Sequence, residues 1–381
     1  MKITRREFLK GTATSLFLAG FNFPVFASKS KKKNLIIIML RGGMDGLTAV
    51  PVIGDKNLKK QRKDILIENT IKLNSDFALH PKLKTIHEAW KENTATIIHA
   101  TSIPYTQRSH FEGQNLMESG GRIAYQEKTG WAGRGMKLAN LSGDSLALSL
   151  PMPLLIRGVP LNNNYFPIRS SLPQKRLLNI IEEEFNQYSE KDLSETLSII
   201  RNRDLNYFPG TNAATLALEA GKLLSDPNGP RVAVFKVENF DTHAAQGGDD
   251  GTHADCLKEY DQILKALKAS LGSTFKDTLI LTLTEFGRTV KQNGGNGTEH
   301  GYGTAVLMAG GLIKKSEVHG DWPGLKKKDL FEGRDLNSTM DARSIYASAM
   351  STVFDLDFKR IQKDVFWGDK LDNLSDKLFK A

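Results

Sequence analysis

The chain has 381 residues, of which 40% are hydrophobic and 25% charged, and it contains one cysteine, Cys256. That length suits one elaborated α/β domain or two smaller ones; the composition excludes a disordered, collagen-like or multi-span membrane chain, and a single thiol excludes an intramolecular disulfide. Lysine and arginine outnumber the acidic residues by 52 to 43, for a formal charge of +9, so a polyanionic partner must be weighed against where the excess sits.

Much of it sits at the start. A basic head with Arg5-Arg6, then Phe8-Leu9-Lys10, leads into a mildly apolar stretch ending in Val25-Phe26-Ala27. Residues 1–27 look like a twin-arginine export signal. The stretch is short for a span of ~20 residues and is broken by Asn22 and Pro24. Small Ala27 suits a signal peptidase, and no Cys follows it to carry a lipid. Removal of residues 1–27 takes away a net charge of +3, and Lys29, Lys31, Lys32 and Lys33 in the basic linker 28–33 hold more, so the remaining body is near balance. The expectation is a periplasmic or extracellular protein that meets the twin-arginine translocase during export, binds no nucleic acid and keeps no stable membrane anchor.

Asn34–Leu40 is a continuous apolar run ending at Arg41-Gly42-Gly43, the pattern of a buried parallel strand feeding a loop. Similar runs recur at Ala95–Ala100, Arg231–Val237, Thr278–Leu283 and Thr304–Ala309. Helix-like segments fall between them: Pro81–Lys91, Phe111–Glu118, Ala132–Asn140, Pro173–Tyr188, Asp192–Arg203, Ala213–Leu224, His253–Leu271 and Asp341–Phe354. Strands alternating with helices predict an α/β fold, a doubly wound, mostly parallel sheet with helices on both faces. The stretch around 173–225 is helical throughout and reads as an insertion into one domain spanning 34–381.

Ligands in such sheets gather beyond the carboxyl ends of the strands. Polar clusters stand at those places: Asp45 after the first run, Arg108-Ser109-His110 after the second, Asp241-Thr242-His243 after the third, Glu285 with Arg288 after the fourth, and Glu299-His300-Gly301 before the fifth. Imidazoles and carboxylates suit a divalent metal, with zinc the first candidate and manganese, magnesium or calcium the others. Asp241, His243 and His300 could form a three-ligand site, with Asp45 and Glu285 holding a second ion. Ser109 stands where a helix dipole would favour an anion and support an attacking hydroxyl, yet Ser109-His-Phe-Glu112 also reads as a capping box. Asp45 could be a turn residue, Asp241-Thr242-His243 an Asx turn, and Glu285 with Arg288 a local ion pair. Arg288 or Arg108 would clamp an anion, His110 could protonate a leaving group, and His253 could join the metal shell or cap a helix. No G-x-S-x-G elbow, G-x-G-x-x-G loop or phosphate-binding G-x-x-x-x-G-K-[ST] loop is present.

The leader Arg5-Arg6-Glu-Phe-Leu-Lys10 together with Leu40-Arg-Gly-Gly-Met-Asp45-Gly-Leu47, Arg108-Ser-His-Phe111, Phe240-Asp-Thr-His243, Thr284-Glu-Phe-Gly-Arg-Thr289 and Gly297-Thr-Glu-His-Gly301 resembles the family known as domain of unknown function 1501. That family is similar to the alkaline phosphatase and sulfatase superfamily, whose fold is a doubly wound α/β sheet with metals at the strand ends. The resemblance implies a metal-binding carboxylate at Asp45, a nucleophile at Ser109, ligands at Asp241, His243 and His300, and Glu285 where an acidic ligand ends a strand. Phe286 takes the place of a further ligand, and Glu299 stands where the family more often has Asp. It also implies an exported metal-dependent hydrolase acting on a small anionic phosphate or sulfate ester. A non-catalytic exported protein that binds or assembles with another exported partner, and a metal-independent serine hydrolase using Ser109 and His110, are the rival expectations.

Overall fold

The computed structural model describes residues 33–148, 151–165 and 212–380, most of which belong to one compact unit made of Pro24–Asn164 and Asn212–Ala381. The leader, nearly all of the basic linker, and the expected helices Pro173–Tyr188 and Asp192–Arg203 lie outside the described residues.

The strands in chain order are β1 (Asn34–Leu40), β2 (Ile71–Lys72), β3 (Ala78–Leu79), β4 (Ala95–Ser102), β5 (Ser145–Leu148), β6 (Asn163–Tyr165), β7 (Val232–Val237), β8 (Thr278–Leu283), β9 (Thr304–Ala309), β10 (Val318–His319) and β11 (Met340–Asp341). The helices are α1 (Gly46–Ala49), α2 (Lys56–Gln61), α3 (Lys84–Lys91), α4 (His110–Ser119), α5 (Trp131–Leu138), α6 (Ala213–Ser225), α7 (Thr252–Leu271), α8 (Ala342–Phe354), α9 (Phe358–Asp364) and α10 (Ser375–Leu378). Among the described residues one sheet runs in the order β10-β4-β9-β8-β1-β7-β5-β6, with β11 beside β4.

Every residue of β1 is buried, which is why its sequence is an unbroken apolar run: it lies between β7 and β8, parallel to both, with Ile37 opposite Val234 on one side and Leu281 on the other. Alternate residues serve opposite faces. Leu35, Ile37 and Met39 join the core cluster that holds Ile345, Ala349 and Met350 of α8. On the other face α7 packs against α6 and β7, and none of the buried residues of α6 or α7 belongs to that cluster. The buried positions Leu257, Tyr260, Leu264, Leu267 and Leu271 of α7 recur at helical spacing, giving one apolar stripe toward the sheet. Truncating a fully buried isoleucine such as Ile37 to alanine would cost about 2–5 kcal/mol.

The fold is α/β, mostly parallel, with helices on both faces. One departure from a wholly parallel sheet among the described residues is β9, which runs antiparallel to both β4 and β8. This reversal matters for the site. The amino end of β9 lies at the same edge as the carboxyl ends of β4 and β8, so the loop that leads into β9 delivers its side chains there. Helix α3 begins at Lys84 rather than Pro81, and β4 continues to Ser102 past a register shift between His99 and Thr101, where Ala100 takes φ +55°.

Candidate functional site

Four loops from the carboxyl edge and the loop before β9 meet over β1 and β8. Their approach is close: at Gly42, with φ +112°, a Cβ would fall 2.5 Å from the Asp241 backbone nitrogen, so only glycine lets the β1 and β7 loops touch. Helix α4 places His110 on its first turn, the β7 loop supplies Asp241 and His243, and the loop before β9 supplies His300.

These four side chains converge. Nε2 of His110 and Nε2 of His243 each approach Nε2 of His300 to 2.9 Å. Oδ1 of Asp241 lies 3.0 Å from Nε2 of both His243 and His300, and its Oδ2 lies 3.3 Å from Nε2 of His110. Ligand atoms of His110, Asp241 and His300 fall within 4.8 Å of one another.

The outer nitrogens decide what the inner ones can be. Nδ1 of His300 donates to the backbone oxygen of Arg108 at 2.7 Å, and a carbonyl only accepts. Nδ1 of His110 donates to Oε1 of Glu285 at 2.9 Å, and Nδ1 of His243 donates to Oε2 of Glu299 at 2.7 Å. In the neutral tautomer this leaves a bare lone pair on all three Nε2 atoms. A single lone pair on His300 Nε2 could accept at most one N–H, so two imidazoles and a carboxylate at 3.0 Å or less cannot all be satisfied by protons. A shared cation would satisfy all of them at once. Imidazoles held from behind by carboxylates or carbonyls are the usual companions of a bound metal; His110, Asp241 and His300 form the compact group, and His243 adjoins it through its 2.9 and 3.0 Å approaches to His300 and Asp241. The donor set fits.

Electrostatics keep the carboxylates of the set ionised. Burial opposes the charged form of Asp241, but the hydrogen bond and charge of Arg288, with His110 and His243 behind them, hold its carboxyl down to about 2. Nη1 of Arg288 reaches Oδ1 of Asp241 at 2.7 Å. Glu285, with no exposed surface, is likewise kept below the usual carboxylate range; burial opposes this, and hydrogen bonds from His110, Gln114 and the Gly42 amide overcome it. The bond to Glu285 raises His110, whereas burial lowers His300.

Several candidates stand elsewhere than expected. Asp45 does not join the cluster: its carboxylate takes bonds from Arg62 at 2.6 and 3.1 Å, Thr48, Gln246 and the Leu47 amide, and it caps α1. Glu285 holds the His110 ring instead of pointing its oxygens at a metal. Arg288 is buried and spends its guanidinium on Asp241 and on the hydroxyl and backbone oxygen of Thr298, so it offers no open face to a substrate. Arg108 turns its side chain to Asp335 and Glu332, which removes it as an anion clamp. His253 is buried, accepts the Asp45 amide at 3.1 Å and belongs to the Asp45 network.

The capping box does not form. Ser109 occupies the cap position of α4 with extended backbone but makes no side-chain bond to the first turn, and Glu112 accepts from Tyr105 at 2.8 Å. The backbone of Ser109 is pinned by its own amide, which donates to the Tyr105 hydroxyl at 3.0 Å. Its neighbours on either side are both tied to the cluster, through the Arg108 carbonyl and the His110 ring.

Residues 217–363 match the family model described as "Protein of unknown function (DUF1501)". This is the family that the sequence motifs resemble. No curated protein matches the chain. Among solved structures, it is similar to a protein in the alkaline phosphatase superfamily from Vibrio parahaemolyticus, with TM-score 0.42 and 10% identity over 86% of this chain and 68% of that one. It is similar to the PsFucS1 sulfatase from Pseudoalteromonas sp., with TM-score 0.39 and 14% identity over 93% and 74% of the two chains. It is similar also to murine ectonucleotide pyrophosphatase/phosphodiesterase 5, with TM-score 0.43 and 10% identity over 91% and 100%.

Sequence reasoning did not find Gln114, Gln246 or Arg62, and gave Tyr105 and Glu299 no part of their own. Gln114 carried a readable signal: four residues beyond His110 on one helix, it faces the same way and donates to the same Glu285 oxygen at 3.0 Å. Phe286, expected to mark a missing ligand, is buried with its ring 4.9 Å from both the His110 and His300 rings, an apolar floor that limits how they can turn.

Proposed function

We propose that the chain is an exported metal-dependent hydrolase of phosphate or sulfate esters. The observation that carries this is the convergence of three imidazole lone pairs and one carboxylate, each imidazole held in place through its other nitrogen. His110, Asp241, His243 and His300 would hold a divalent cation, and a cation there supplies Lewis-acid polarisation of an ester oxygen.

The remaining steps fall to the chain's own residues. Ser109 presents a hydroxyl that is not consumed in capping, at the amino end of a ten-residue helix whose first N–H groups lack intrahelical partners and favour an anion. In this reading that hydroxyl would attack the anionic ester. Glu285 and Glu299 keep protons on the outer nitrogens of His110 and His243, leaving the inner nitrogens free to coordinate. Arg288 keeps Asp241 ionised. A metal-independent Ser109–His110 pair is disfavoured, because both ring nitrogens of His110 are turned to other partners. Export rests on the leader at residues 1–27; no described helix is long and apolar enough to cross a membrane.

The test is metal analysis of protein purified from the exported fraction, paired with turnover of aryl phosphate and aryl sulfate esters. Metal-stimulated turnover that stops in chelator, and that is lost in Ser109→Ala with metal content unchanged, supports the reading. Bound metal with no turnover on either ester class would point to the non-catalytic rival. Turnover that persists in chelator would point to the serine hydrolase.

A further inference from the structure

We infer that the cluster takes one ion of the zinc class per chain, and that Arg288 supplies the fixed positive charge that a second ion would otherwise bring. The inference rests on the metal-site part of the reading above and not on ester turnover.

The first ground is which oxygens remain open to a cation. A second ion would need carboxylates, and Asp45 and Glu285 were the ones the sequence offered. Asp45 accepts from five donors across its two oxygens. Glu285 Oε1 accepts from the Gly42 amide, Gln114 and His110, and its Oε2 lies 3.3 Å from the Thr284 hydroxyl. Coordination through either residue would require breaking buried hydrogen bonds to protein donors that cannot then reach water, at a cost of about 1–3 kcal/mol for each group left unsatisfied. Glu299 is committed as well, to Asn293 and His243.

The second ground is charge. Asp45 is matched by Arg62 and Asp241 by Arg288, both at salt-bridge distance. Of the carboxylates that touch the cluster or its network, Glu285 and Glu299 have no guanidinium partner; Glu285 is held by the Gly42 amide, Gln114 and the His110 ring, and Glu299 by Asn293 and the His243 ring. Two uncompensated carboxylates correspond to one divalent cation, not two. The adjoining groups balance among themselves, Arg41 with Glu118, and Arg108 and Arg334 with Glu332 and Asp335.

The third ground is donor type. Three imidazole nitrogens and one carboxylate oxygen form a borderline set that suits zinc and its transition-metal neighbours. Calcium and magnesium prefer oxygen donors, six or more of them for calcium, and the cluster offers one carboxylate.

Native mass spectrometry and calorimetric titration of the chelator-treated mature chain with zinc chloride, then with calcium and magnesium chloride, test this. The expected result is one equivalent of zinc, undisturbed by either alkaline-earth ion, with affinity lowered about 10–100-fold in Glu299→Gln. That residue is about half exposed, so its replacement reads metal binding without disturbing the core. Two tight equivalents of zinc, or calcium bound in preference to zinc, would overturn the inference. Absence of all metal binding would sink it together with the hydrolase reading. One zinc without ester turnover would sink the hydrolase reading alone and leave the inference standing.

Discussion

Two assemblies of carboxylate, guanidinium and imidazole lie at the carboxyl edge of the sheet, and they behave in opposite ways. Around Asp45, every lone pair of the carboxylate is met by a donor: Arg62 closes on it, Gln246 and Thr48 fill its remaining sites, and His253 accepts the Asp45 amide, with only the outer Nδ1 of that ring left without a partner. Around Asp241 the same residue types leave lone pairs facing lone pairs. Composition cannot tell these apart. What separates scaffold from site is whether the carboxylate and the nitrogens facing it find donors without a further atom.

The sharpest break of this contrast is His300→Ala. It removes the imidazole that both other rings face, and metal affinity should fall more than ~100-fold, beyond the effect of losing an outer partner, as read by calorimetry. If affinity held, the two assemblies would not differ as described. Arg62→Met attacks the closed assembly. Leaving Asp45 buried and unpaired should destabilise the chain by about 3–5 kcal/mol in urea unfolding, while the folded fraction still binds metal at wild-type stoichiometry.

A smaller effect is expected from Glu285→Gln, which keeps an acceptor for Gly42 but weakens the hold on His110; metal affinity should drop about 10–100-fold with only a minor change in melting temperature. Smaller again is a pH effect on the scaffold. His99 and His253 are buried and each accepts a backbone N–H, so both are neutral when folded, and burial pushes them down to about 4 and about 3. Depressed folded values mean that the unfolded chain takes up protons first as pH falls below about 6.5. Stability of the chelated protein should therefore decline from pH 6.5 toward pH 4, by on the order of 1 kcal/mol per pH unit for each ring. His253→Gln should flatten that slope in denaturant titrations at several pH values; an unchanged slope would remove His253 from the account.

Local pattern carried the sheet well where strands were long and dry. The bounds of β1, β8 and β9 coincide with their apolar runs, because burial on both faces keeps charged residues out of them. The short β5, β6 and β10, at two to four residues, are too brief for a period to declare itself. The direction of β9 was also hidden, since an apolar run is the same read either way. For the site, sequence brought the right loops to the right edge but could not assign the carboxylates. Asp45 and Glu285 looked like ligands because their competitors, Arg62 and His110, reach them from 17 and 175 residues away. Ser109 looked like half of a capping box until Tyr105 was seen to claim Glu112.

The His300 ring is fastened by a main-chain oxygen, that of Arg108, whose φ of +61° aims it there. A main-chain anchor cannot be deleted by changing a codon. Any residue at position 108 brings a carbonyl, and glycine or asparagine would adopt that backbone more readily than arginine. The anchor of His300 is thus insulated from point mutation in a way that those of His110 and His243, which depend on the side chains of Glu285 and Glu299, are not. Over evolutionary drift, the two side-chain anchors should fail first.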